Sequence, residues 1–374
     1  MKIGFVNFNT EEKKRVAKMM QLLQESEAIE ELGIGRVRDH FSNTLFPGTS
    51  TLQHHAKYLV LMPSLYYHIA FNNHKFQERN EVSRYIKEAE IQITRQLSED
   101  ENGNLRTDLT GITGINTYKD ALKDYNKYVK YDPAYIYGSG LVRYGIIPNT
   151  DVEGLIMELN NKYFSDPHNK SSFKSDDETD DAGDLSGDKQ VIKTCGESYD
   201  FFNGKTMNIA LSEKEASFMK DRIHSSCNGT MLAYLIDSNN DIPEHIEYFE
   251  IEGILSDLDD EVVDVYKKSV LFSKLIHLID WRYNYSYFVS FNKNEDADAC
   301  NEEYKQLFEK YSEEIHNEDD YKELFDYTRS IDMMLTEFCE ACYNAIIKNE
   351  LASVDELVKA RERTVKRERS KIGN

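Results

Sequence analysis

Cys339 and Cys342 stand at the interval of a zinc-binding pair, but no second Cys or His pair follows at a useful distance. They lie inside an apolar helical pattern running from Leu324 to Ile346, where cysteine serves as a small core residue. Asp257, Asp259, Asp260 and Glu261 have the chemistry of a magnesium site in a nuclease. They also stand where a long helix begins, and acids there complement the positive helix end. Glu303-Tyr304-Lys305 is the Glu-x-Lys of restriction-type nucleases, without the preceding strand that chemistry needs. Gly204-Lys205-Thr206 resembles the end of a phosphate loop, yet Tyr199 occupies the place of its first glycine. His55-Ala56-Lys57 opens like a phospholipase-D-type motif, but Met62 stands where its Asp belongs. His40, His54, His55, His68 and His74 are dense without a spacing that makes them converge. No catalytic residue is assigned from these patterns, and no metal or cofactor is expected.

Binding residues are easier to place. Arg36 and Arg38 open a helix, where cations are unfavourable unless an anion neutralises them, and Asp39 is the nearest candidate. Pro47-Gly48-Thr49-Ser50-Thr51 then reads as a turn entering a helix, with Gln53 just beyond. Such a turn either holds a phosphate on its hydroxyls and N–H groups or caps itself. The expectation is that Arg36, Arg38 and Asp39 form a charge network fixing Thr49, Ser50, Thr51 and Gln53. A second candidate is the C-terminus. Between Lys359 and Lys371 stand seven basic residues, including Arg361, Arg363, Lys366, Arg367 and Arg369, against Glu362 and Glu368. This is the sharpest charge contrast in the chain, and suits an arm for nucleic acid or an acidic partner.

Helices must carry these residues. Ile3–Phe8 reads as a short strand, followed by a helix capped at Thr10. Further helices are expected over Arg36–Leu45, after Ser50 or Thr51, and over Glu81–Leu97, where Val82, Ile86, Ala89, Ile93 and Leu97 recur every three or four residues. Thr150…Glu153, Ser212…Glu215 and Ser353…Glu356 have the spacing of capping boxes. Leu258 to Ile279 marks a long helix leading into an aromatic run, Trp281–Phe291. From Ser165 to Gln190 the pattern fails, with eight acids against three lysines. The fold class is therefore mainly α with a minor β component: two helical domains, 1–147 and 199–374, joined by a helix and acidic linker over 148–198.

The whole chain has 374 residues, 45 Lys and Arg against 67 Asp and Glu, and a net charge of −22, which argues against a generally basic nucleic-acid coat. Five scattered cysteines argue against a disulfide framework. With no signal peptide and no apolar run of about 20 residues, a cytoplasmic location is expected and no membrane contact.

The block Gly33-Ile-Gly-Arg-Val-Arg-Asp39, continued by Leu45-Phe-Pro-Gly-Thr-Ser-Thr-Leu-Gln53, resembles an uncharacterised bacterial family of unknown function, often encoded in antiphage defence islands near helicases and nucleases. Weaker likenesses follow at Lys57–Tyr66, Gly111–Gly114, Tyr135–Ile146, Leu211–Ala216 and Tyr283-Asn284. The chain departs from that pattern at His54-His55 in place of Thr-Arg, and at Ser64, Tyr137 and Tyr144 in place of tryptophan. The resemblance implies a subunit of an antiphage defence system working through a neighbouring helicase or nuclease. The alternatives are a diverged metal-dependent nuclease, and a protein that touches nucleic acid through local basic patches.

Overall fold

A computed structural model describes residues 32–106, 109–165, 191–237 and 258–372, together with Tyr248, Ile251 and Leu255. The strand at Ile3–Phe8, the helix capped at Thr10 and the acidic stretch 166–190 lie outside the described residues. The protein is mostly helical. Among the described residues, β pairing amounts to one isolated antiparallel bridge, Glu99 with Leu105. In chain order the helices are α1 (Gly35–Leu45), α2 (Tyr58–Ala70), α3 (Arg79–Ser98), α4 (Tyr118–Ala121), α5 (Pro133–Arg143), α6 (Val152–Ser165), α7 (Glu213–Cys227) and α8 (Met231–Asp237). They continue as α9 (Asp260–Ser290), α10 (Asn294–Lys310), α11 (Ser312–Ile315), α12 (Glu318–Arg329), α13 (Met333–Ile347) and α14 (Leu351–Lys366).

Two compact units result: Phe46–Ser238 forms one, and Met1–Leu45 with Asn239–Asn374 forms the other. The sequence-derived bounds at 147 and 199 both fall inside the first of these. Those bounds are crossed by one core, which joins Leu65 and Ile93 to Ile156 and Met219, while α1 goes to the second unit, its Val37 and Phe41 burying in the same cluster as Phe272, Leu275 and Ile279 of α9. The sequence marked a helix over Arg36–Leu45; its partner far along the chain left no local trace.

In the unit Phe46–Ser238, α2 is buried almost all round, with α3, α5, α6 and α7 against it. Pro63 removes one helical N–H, and Ser64 returns its hydroxyl to the Val60 carbonyl at 2.8 Å. The expected stripe Val82, Ile86, Ala89, Ile93 and Leu97 is buried on α3. Asn160, fully buried on α6, closes the turn after α2: its Oδ1 accepts the Phe76 N–H at 3.1 Å, and its Nδ2 donates to the carbonyls of Ala70 (3.1 Å) and His74 (3.0 Å). Replacing Asn160 by Leu takes the partner from three backbone groups, two of them in fully buried bonds, so thermal unfolding should report a loss of about 2–4 kcal/mol.

The other unit is built on α9, 31 residues long, which absorbs the aromatic run Trp281–Ser290 into one helix. Arg282 cross-links it: Nε and Nη2 reach the two oxygens of Asp355 on α14 at 2.8 and 2.6 Å, and Nη1 reaches Asn301 on α10 at 2.8 Å. The single helix expected over Leu324–Ile346 is two, broken at Ser330–Asp332, where Asp332 caps α13 by accepting the Leu335 N–H. Of the three capping boxes, Ser212…Glu215 forms with both reciprocal bonds. Asp151 takes the role expected of Thr150, accepting the Gly154 N–H. Ser353 lies inside the first turn of α14 instead of before it.

Candidate functional site

The sequence-derived residues separate into two groups. Thr49, Ser50, Thr51 and Gln53 sit in a turn that satisfies itself. Thr49 donates its hydroxyl to the Phe46 carbonyl at 2.8 Å, Ser50 Oγ accepts the Leu52 N–H at 3.3 Å, and Gln53 Nε2 donates to Ile136 at 3.1 Å. Gly48 turns the chain with a φ of +80°, and a Cβ there would meet the Tyr144 ring at 3.0 Å. Arg36, Arg38 and Asp39 belong to the other compact unit. Arg38 pairs with its neighbour Asp39 at 3.0 Å near the surface, and Arg36 faces Asp332 at 3.7 Å. The Arg38–Asp39 pair is partly exposed and not a buried one.

What the structure does show is that Arg36 and Arg361 both reach the start of α13. Arg361 of α14 donates Nε to the Leu32 carbonyl at 2.9 Å and Nη1 to the Met334 carbonyl at 3.5 Å, with its guanidinium 5.6 Å from the Phe338 ring centre. Val365 lies beside Gly33. At this corner the start of α1, the start of α13 and the end of α14 converge. Met333 and Met334 stand 59% and 62% exposed in the first turn of α13, and Val365 near the end of α14 is 40% exposed. Helical geometry places Ala341 and Ala345, seven and eleven residues on, along the same face as Met334. These two line an open groove between α13 and α14 that continues past Ala352, Leu357 and Ala360. Arg363 and Arg367 are exposed at the end of α14, while Lys366 approaches the buried Glu362 at 3.5 Å. For Arg369, only its place in the terminal 3-10 turn is described.

Met333 and Met334 carry a signal that periodicity alone misreads. The buried stripe of α13 is Leu335, Phe338, Cys339, Cys342 and Ile346, and the two methionines precede it directly after the Asp332 cap. They look like the start of the stripe and are not part of it.

The residues with catalytic chemistry are otherwise engaged. Cys339 and Cys342 are buried in the core, and burial pushes the Cys339 thiol up to about 12. Asp259 caps α9, and Asp260 and Glu261 lie in its first turn. Glu303-Tyr304-Lys305 is inside α10, with Tyr304 buried and Lys305 paired to Glu302. Gly204 is pinned to α3, its carbonyl accepting from Arg95 at 2.7 Å. Among the described residues no three His, Cys, Asp or Glu side chains gather as metal ligands.

One buried ionic cluster was not legible. Lys57 Nζ lies 2.6 and 2.7 Å from the two oxygens of Glu215, both side chains almost fully buried. The Tyr199 hydroxyl also donates to Glu215, and the Ser212 N–H does so at 2.7 Å. Burial would raise the Glu215 carboxyl; the bonds from Lys57, Tyr199 and Ser212 outweigh it and hold the group below the usual glutamate range. Every oxygen is occupied from within, so the cluster reads as a clasp between the start of α2 and the start of α7.

Residues 1–128 match the model of a family of unknown function (DUF6361). The matched stretch includes the block Gly33–Gln53 and stops before Tyr135. No curated protein and no solved structure matches the chain. No helix among the described residues is long and apolar enough to cross a membrane.

Proposed function

We propose that this protein is a subunit of a bacterial antiphage defence system, and that it acts by docking onto a protein partner, a helicase or nuclease encoded beside it. The defence context comes from the resemblance of the Gly33–Gln53 block. The docking role rests on the α1/α13/α14 corner, where exposed Met333, Met334 and Val365 are flanked by Arg36 and Arg361. Methionine and arginine are the residue types enriched in protein interfaces, and flexible thioethers adapt to a partner's contour. On a chain of net charge −22, a basic rim round an apolar centre selects an acidic-rimmed partner surface.

Met333→Asp combined with Met334→Asp tests this. Both side chains are exposed, so stability should change by no more than about 0.5 kcal/mol. Co-expressed with the neighbouring helicase or nuclease, wild type should co-elute on size exclusion and the double variant should not. Co-elution of both, or of neither, removes the corner from consideration as the docking site.

A further inference from the structure

Tyrosine is the commonest aromatic here, 24 in all, and most of the described ones are buried. The strongly exposed ones, Tyr125, Tyr131 and Tyr135, fall within eleven residues of each other. Tyr131 and Tyr135 form a pair with ring centres 5.1 Å apart and planes inclined by 36°. Tyr135 is 66% exposed and Tyr131 47%. Two residues on, Tyr137 is fully buried, because a step of two on α5 turns a side chain to the opposite face. The position of Tyr135 is thus fixed by its neighbour's burial.

The pair is also held rigidly. Asp132 caps α5 by accepting the Tyr135 N–H at 3.0 Å, and the buried Glu90 of α3 accepts the Ala134 N–H at 2.8 Å. The exposed stretch that carries the rings holds four lysines and three aspartates. Lys130 Nζ lies 5.2 Å from the centre of the Tyr131 ring, and Lys119, Lys123 and Lys127 precede it on the same exposed stretch. Of the three acids there, Asp132 serves as the cap, while Asp120 and Asp124 are exposed, Asp124 accepting from Asn126.

We infer that Tyr131, Tyr135 and Lys130 form a platform for single-stranded nucleic acid, the rings stacking bases and the lysines meeting phosphates. Interleaved aromatic and basic side chains on a rigid surface are what sequence-tolerant single-strand binding uses. The acidity of the whole chain opposes it only at long range. At physiological salt, charges beyond about 8 Å are largely screened, so local lysines and stacking decide. A single strand is favoured over a duplex because only unpaired bases offer free faces to the rings. This site is independent of the α1/α13/α14 corner and stands or falls separately from it.

Fluorescence anisotropy of the full chain with labelled oligo-dT and oligo-U, each about 20 nucleotides to exceed one platform's footprint, tests the inference. Wild type should bind single strands with a Kd below about 100 μM at low salt, and duplex more weakly. Tyr131→Ala with Tyr135→Ala should weaken binding by about tenfold or more, with an unchanged melting temperature because both rings are exposed. Tyr135→Phe should retain binding, since stacking needs the ring and not the hydroxyl. Lys130→Gln should flatten the log–log salt slope by about 0.7. The oligo-dT and oligo-U arms tell DNA from RNA, and binding of either supports the site. No binding by wild type, equal affinity in the double alanine variant, a preference for duplex, or capture of an acidic protein in place of oligonucleotide overturns it.

Discussion

Lys57→Met should lower the unfolding free energy by about 3–5 kcal/mol, because it leaves Glu215 buried without its cation. The ammonium contacts both carboxylate oxygens, and neither residue is reached by water to any useful degree. Removing both charges together is a different matter. Lys57→Met with Glu215→Leu should recover most of the loss, since a buried pair exchanged for apolar groups of similar volume is often neutral. The pH dependence follows from the lowered Glu215 carboxyl. In wild type its contribution is fully present above the ordinary glutamate value of about 4.3, and is lost as pH falls through the lower folded value. In Lys57→Met the main stabilising partner is gone and burial now raises the carboxyl. The variant's deficit should therefore shrink as pH falls, because protonated Glu215 tolerates its site. Urea midpoints at pH 7 and pH 4 measure this, and a deficit that stays constant or widens would contradict the clasp.

The clasp also marks where sequence reasoning stopped. Ser212…Glu215 was readable as a capping box, and it forms. That Glu215 also receives Lys57, 158 residues away, had no local sign beyond a single lysine beside the apolar run Tyr58–Met62. The same limit applied to α1. Its extent was legible, whereas its packing with α9 was set by topology. The helix over 81–97 was recoverable because burying one face imposes a 3.6-residue period on the sequence. Exposure imposes none. Met333, Met334, Tyr131 and Tyr135 are apolar residues off the buried stripe, and only a structure separates them from core.

Glu362→Gln should cost about 2–4 kcal/mol and loosen the C-terminus, although it changes one atom type. The residue sits fully buried on α14, within what reads in sequence as a solvated basic tail. Its two oxygens collect donors from three directions. Oε1 accepts from the Tyr283 hydroxyl at 3.1 Å and the Lys371 N–H at 2.9 Å, and Oε2 accepts from the Ser370 hydroxyl and the Ile372 N–H, both at 2.9 Å. Arg367 breaks the helix with a left-handed φ of +53°, a conformation unfavourable for a side-chain-bearing residue. The bonds to Glu362 are what draw the chain back after that turn, and they seat Ile372 in the core. A carboxamide keeps one acceptor and points its NH2 at groups that are themselves donors, so at least one of them is left buried and unmet. Hydrogen exchange should show the Lys371 and Ile372 amides losing protection far more than amides in α9, with the melting temperature falling in step. Unchanged protection at those two amides would mean that Ile372 burial alone holds the terminus. Truncating 359–374 to remove the basic residues removes Glu362 and Ile372 as well. Any loss of binding in such a truncation therefore mixes charge with unfolding. Charge reversal at Arg363 and Arg367, which leaves the Glu362 hook intact, isolates the charge.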